Sequence, residues 1–165
     1  MVKSLYIICP TDYIETAVTK SFEGYHFFYT SLGDFVKLDK NSFAKLASFI
    51  SLNGIKKITF ILSDDNRILK EIINNKQVSK AEYFGINCSY LYGYKLYLSK
   101  HFQDHNLNKL VFSHHLNQKI NELRLGLKCF LENQPLINGL LFIKKCRTFV
   151  PIYSDLICSS IKYLN

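Results

Sequence analysis

Leu5-Tyr6-Ile7-Ile8-Cys9-Pro10-Thr11-Asp12-Tyr13 and Ile58-Thr59-Phe60-Ile61-Leu62-Ser63-Asp64-Asp65-Asn66 share one construction. Each is an apolar run that stops at small and acidic residues, and a helix-like pattern follows each. A short, continuous apolar run bounded by turn chemistry reads as a strand buried on both faces. Strands separated by helices imply right-handed crossovers and a parallel sheet. In such a sheet the loops at the carboxyl ends of the strands carry the chemistry. The two polar loops are therefore the candidate site.

Outward from these runs the alternation continues. Asp12 is placed to cap a helix reaching about Phe22, with Glu15 completing a capping-box-like pair and Gly24 ending it. Tyr25–Thr30 is aromatic and reads as the second strand, and Gly33 marks a turn. Asn41 is the expected N-cap of a helix with Phe43, Leu46, Ala47 and Ile50 on one stripe, stopped by Asn53-Gly54. Lys57–Leu62 is the third strand. Asp64 or Asp65 is expected to cap the next helix, which runs through Ile68, Leu69, Ile72 and Ile73 to Asn74-Asn75. The segment 76–106 is rich in tyrosine (Tyr83, Tyr90, Tyr92, Tyr94, Tyr97) and has no assignable pattern. A long helix is expected from Leu107 to Glu132, with Leu110, His114, Ile120, Leu123, Leu127 and Phe130 near one face and Pro135 beyond its end. Asn138–Lys144 and Thr148–Tyr153 read as two strands joined by a tight basic turn, which makes the second antiparallel. The tail, Ser154–Leu164, reads as a short helix or an edge strand. The fold class is α/β, a single domain over 1–165. Its central sheet has about four parallel strands plus an antiparallel edge strand, flanked by helices.

A chain of 165 residues with 48% hydrophobic residues, 13 Phe and 11 Tyr can bury a core without staples. Five cysteines, Cys9, Cys88, Cys129, Cys146 and Cys158, form no disulfide framework and read as reduced small hydrophobes. The apolar run Leu5–Cys9 is too short for a signal-peptide core, and no segment is long enough to span a membrane. A cytoplasmic location is expected. The formal charge of +8 divides unevenly, +2 over residues 1–85 and +6 over 86–165. A basic half suits nucleic acid or another polyanion, or is simply a soluble surface. Only Lys144-Lys145-Cys146-Arg147 is a tight cluster, and no nucleic-acid motif supports the first reading.

The order of elements, from Leu5 to about Tyr153, resembles the β-class carbonic anhydrases. That family carries Cys-x-Asp-x-Arg after its first strand, where Cys9-Pro10-Thr11-Asp12-Tyr13 stands. Its Arg-Asn-x-Gly-Asn turn is similar to Thr30-Ser31-Leu32-Gly33-Asp34 in place and in its glycine. Its His-x-x-Cys corresponds to Ser63-Asp64-Asp65-Asn66. Its later Gly-x-x-Tyr/Phe strand is similar to Gly139-Leu140-Leu141-Phe142. The N-terminal helical arm common in the family is not expected, because the chain starts at the first strand. The resemblance implies a zinc ion held by two Cys and one His, with water in the fourth position. Such zinc lowers the pKa of that water to about 7. Carried over, only Cys9 survives as a ligand; Ser63 stands for the histidine and Asn66 for the second cysteine. Thr11 stands at the aspartate position and Tyr13 at the arginine position. Sliding the frame rescues Asp12 but loses Cys9. One thiolate cannot supply the roughly 10 kcal/mol or more of a full ligand set.

Other constellations each have a plainer reading. Cys9 before a helix start is a reactive thiol, or an ordinary strand-end cysteine. His101 and His105 lie one helical turn apart, with His114 and His115 beyond; they suit a metal, or a solvated surface. Asp64-Asp65 suits a divalent cation, or helix capping. The tyrosines suit base stacking, or core and homodimer packing. The leading expectation is a carbonic-anhydrase-like protein with a degenerate zinc site. It would be a non-catalytic binding or scaffolding module, homodimeric, with no cofactor, zinc being the alternative. Its remnant pocket would be framed by Cys9, Thr11, Asp12, Tyr13, Gly33, Asp34, Ser63 and Asn66. A small anion or small molecule would be held there by backbone N–H groups. The alternatives are residual carbonic anhydrase activity, an enzyme using Cys9 or Asp64/Asp65, and a polyanion-binding protein.

Overall fold

The computed structural model describes residues 1–36, 39–75, 82–83, 86–87, 89–100 and 107–154. In chain order the elements are β1 (Lys3–Ile8), a 3₁₀ turn (Pro10–Asp12), α1 (Glu15–Ser21), β2 (Tyr25–Thr30), a second 3₁₀ turn (Leu32–Asp34) and α2 (Lys40–Asn53). Then come β3 (Lys57–Ser63), α3 (Arg67–Asn74), β4 (Glu82–Tyr83), β5 (Ile86–Asn87), α4 (Ser89–Ser99), α5 (Leu107–Lys128), β6 (Leu136–Ile143) and β7 (Thr148–Pro151). Five strands form one sheet in the order β2-β1-β3-β6-β7. All neighbours are parallel except β6 and β7, which pair as an antiparallel hairpin. The expected α/β architecture is what the chain adopts. β4 and β5 make a separate antiparallel pair.

Central position explains the unbroken apolar runs. β1 lies between β2 and β3, and β3 between β1 and β6, so both strands are covered on two faces. Leu5, Ile7, Cys9, Ile58, Phe60, Leu62, Ile137 and Leu141 face one side and join the larger core with α2, α3 and α5. Tyr6, Ile8, Ile61 and Phe142 face the other side, against Ile14 and Val18. Each fully buried Leu, Ile or Phe contributes about 1.5–3 kcal/mol.

Helix starts differ from expectation in three places. Asp12 lies inside the 3₁₀ turn and does not cap α1, which begins behind Ile14 with no side-chain cap. α2 is capped by Asp39 rather than Asn41; its carboxylate accepts from the Ser42 N–H at 2.8 Å. α3 is capped by Asn66 rather than by either aspartate; its side-chain oxygen accepts from the Leu69 N–H at 2.9 Å. The α2 terminus is as expected, with Gly54 left-handed at φ +63°. The long helix ends at Lys128, one turn before Glu132, and Phe130 lies beyond it. On α5 the fully buried histidine is His115, not His114. The described cysteines, Cys9, Cys129 and Cys146, are free; Cys129 and Cys146 are exposed and so do not serve as core residues. Cys88, Cys158, His101, His105 and the tail beyond Ser154 lie outside the described residues.

Candidate functional site

Parallel register sets the site. Ile8 pairs with Ile61 across β1 and β3 and with Thr30 across β1 and β2. Three strands thus end together, and the segments Cys9–Asp12, Ser31–Asp34 and Ser63–Asn66 converge.

Asp12 is the hub of this cluster. One carboxylate oxygen accepts from the Ser63 backbone N–H at 2.8 Å. The other accepts from the Asn66 side-chain amide at 2.9 Å. Asn66 is committed at both ends, because its oxygen caps α3. That second bond fixes the amide orientation, so the NH₂ group must face Asp12. Burial pushes the Asp12 carboxyl up to about 6; the bonds from Ser63 and Asn66 and the charge of Lys144 pull it back, and Asp65 adds to the rise.

Cys9 is buried at the mouth of the first turn. Its sulfur accepts from the Gly33 backbone N–H at 3.1 Å, and the Thr11 hydroxyl lies 3.1 Å from the same sulfur. Gly33 adopts φ +57°, and a Cβ there would come within 2.9 Å of the Phe35 ring. Glycine is needed for both reasons. Asp34 follows at φ +54° and is fully buried. Neither of its carboxylate oxygens has a hydrogen-bond partner among the described residues. Burial, then Cys9, then Asp12 hold its carboxyl well above the usual carboxylate range. Tyr13 turns away from the cluster, 84% exposed, at φ +54°.

Two residues that sequence reasoning did not assign to the site complete it. His115 Nε2 donates to the Gly33 carbonyl at 2.9 Å, and the Tyr90 hydroxyl lies 2.8 Å from His115 Nδ1. A carbonyl only accepts, so Nε2 carries the proton and Tyr90 donates to Nδ1. Burial, then Lys119, holds the His115 pKa down to about 3, so the ring is neutral. The result is a hydrogen-bonded line from Tyr90 through His115 and Gly33 to the Cys9 sulfur. The only sequence signal for it was a histidine on a long apolar helix beside a tyrosine-rich segment.

The acidic pair faces elsewhere. Asp64 accepts from the Lys144 backbone N–H at 3.0 Å. Asp65 is paired with Lys70 and lies 3.8 Å from Lys144, and its pKa is lowered chiefly by the hydrogen bond from Lys70. Together they fasten the loop after β3 to the β6–β7 turn. Tyr94 stacks on His114 at 4.0 Å, and Tyr90, Tyr94 and Tyr97 pack against the main core.

No protein-family model and no curated protein sequence matches the chain. Solved structures do. The β-carbonic anhydrase CafD of Aspergillus fumigatus aligns with a TM-score of 0.66 at 14% identity, over 93% of this chain and 90% of that one. The tetrameric β-carbonic anhydrases of Sordaria macrospora align at 0.70 and 13%, over 93% and 81%. The Coccomyxa β-carbonic anhydrase in complex with acetazolamide aligns at 0.64 and 14%, over 99% and 85%. The chain has the fold of the β-carbonic anhydrases.

Proposed function

We propose that this chain is a non-catalytic, carbonic-anhydrase-like module in which an internal hydrogen-bond network stands in for the zinc centre. The observation that carries the reading is the clamp on Asp12. Its carboxylate is held by the Ser63 N–H and the Asn66 amide, at the two positions where the resemblance puts a histidine and a cysteine. The donor set does not fit zinc. Of the three ligand positions only Cys9 offers a thiolate, Ser63 offers a neutral hydroxyl, and the Asn66 side chain is consumed by Asp12 and by the Leu69 N–H. Among the described residues no group of three His, Cys, Asp or Glu side chains is arranged to hold a metal ion. Neutral oxygens are weak partners for a borderline-soft cation that favours thiolate and imidazole.

The module acts by binding rather than by turnover, and it self-associates in a reducing, cytoplasmic setting. Self-association is supported by the tetramers of Sordaria macrospora with the same fold. The free cysteines support the setting. Among the described residues no helix is long and apolar enough to cross a membrane.

The test is elemental analysis of protein purified without chelator, beside a stopped-flow CO₂ hydration assay. The expected result is far less than one zinc per chain and a hydration rate equal to buffer. One zinc per chain, lost together with hydration activity in Cys9→Ser, would overturn the proposal.

A further inference from the structure

Between α2, α5 and the sheet lies a cavity of about 290 Å³ that shares no residue with the Asp12 cluster. Phe60 of β3 and Phe43 of α2 supply apolar walls. α5 supplies Lys119, Glu122, Leu123 and Gly126, spaced i, i+3, i+4 and i+7, so one helical stripe faces the space. Gly126 is what lets the Phe43 ring approach the helix; a Cβ there would sit 2.0 Å from it.

The unusual member of this lining is Lys119. Its side chain is only 10% exposed, and it pairs with Glu122, which is 57% exposed, at 2.7 Å. An ammonium has three donors, and this bond uses one. The other two have no partner among the described residues. Burying an ammonium against aromatic and aliphatic walls is costly unless its donors are satisfied. The Lys119–Glu122 pair leaves the lining without net formal charge, and two ammonium donors stay open beside an apolar floor. The volume lies at the small end of ligand pockets.

We propose that this cavity binds a small monocarboxylate with an apolar body of about the size of an aromatic ring, its carboxylate on Lys119 and its ring against Phe43 and Phe60. The proposal is independent of whether the chain holds zinc.

Benzoate and its neutral isostere benzamide, titrated at pH 7 and followed through the backbone amide resonances of Leu123 and Gly126, provide the test. Benzoate is expected to shift both resonances and to bind about tenfold more tightly than benzamide, as one charge-assisted contact requires. Lys119→Met brings benzoate down to the benzamide level, and Lys119→Arg retains the preference. Glu122→Gln tightens benzoate a few-fold, because a competing acceptor is removed. Equal affinity for the two probes, no shift at these amides, or weaker benzoate binding in Glu122→Gln would each overturn the proposal. If Lys119→Met fails to fold, the wild-type comparison and Glu122→Gln still decide it.

Discussion

At the scale of single residues, Asn66 performs two jobs that pull on opposite ends of one amide. Its oxygen caps α3 and its nitrogen holds Asp12. Asn66→Ala removes the cap, worth about 1 kcal/mol, and leaves a buried Asp12 oxygen without its donor, worth about 1–3 kcal/mol more. Urea denaturation is therefore expected to show a loss of about 2–4 kcal/mol. A loss below about 1 kcal/mol would mean that the clamp is not formed in solution. Asn66→Asp, which keeps the cap but sets a second carboxylate against Asp12, is expected to destabilise as well. The loop containing Asn66 was legible in the sequence, but its role was not. A local pattern of Ser-Asp-Asp-Asn offers four capping residues of similar preference. Asp64 and Asp65 are withdrawn from the competition by Lys144 and Lys70, one of them 80 positions away. Asp12 shows the same effect in reverse. Its sequence setting is that of a helix cap, yet its partners lie 51 and 54 residues downstream.

At the scale of elements, apolar runs and periodicity located every strand of the main sheet and helices α1, α2, α3 and α5, because those patterns are set by burial, while α4 fell in the segment with no assignable pattern. Helix α2 was legible as a stripe of Phe43, Leu46, Ala47 and Ile50, but its start was displaced. Asp39 and Asn41 are both good caps, and only the observed bond to the Ser42 N–H separates them. Asp39→Ala is expected to lower the midpoint of denaturant melts and Asn41→Ala to leave it unchanged; the reverse order would place the helix start at Asn41. The contact between α2 and α5 left no pattern in either helix. It rests on Gly126, a residue that weakens an isolated helix by about 1 kcal/mol relative to alanine. With a Cβ 2.0 Å from the Phe43 ring, the cost of overpacking, about 1–3 kcal/mol, exceeds or matches that gain. Gly126→Ala is thus expected to leave stability unchanged or to lower it by up to about 2 kcal/mol. Adding Phe43→Leu should turn the same change into a stabilising one relative to Phe43→Leu alone. A clear gain for Gly126→Ala in the wild-type background would show that the helices stand further apart.

At the scale of the whole molecule, sheet order converts sequence distance into contact. Strand order β2-β1-β3-β6-β7 gathers residues 9–12, 31–34 and 63–66; α5 adds His115, and α4 adds Tyr90 from a segment whose sequence had no assignable pattern. The gathering buries ionisable groups with opposite pH behaviour, so global stability reports on it. Asp12 has a folded pKa of about 6, above the ordinary value of 3.8. The folded state therefore binds more protons between those values, and this contribution to stability is present at low pH and lost as pH rises through about 6. His115 has a folded pKa of about 3, below the ordinary 6.5. The unfolded state there binds more protons, so this contribution is present above about 6.5 and lost as pH falls. Asp34, raised by burial, acts in the sense of Asp12. Between pH 4 and pH 6 the two directions oppose, and variants separate them. Urea unfolding across that range should give a stability slope that is more positive in Asp12→Asn than in the wild type. In His115→Gln the slope should be more negative. Each difference should amount to about 1–3 kcal/mol over the window, on the scale of 1.36 kcal/mol per unit of pKa difference. Parallel curves for the three proteins would mean that neither group is buried as the converged loops require, and the clamp on Asp12 would fall with them.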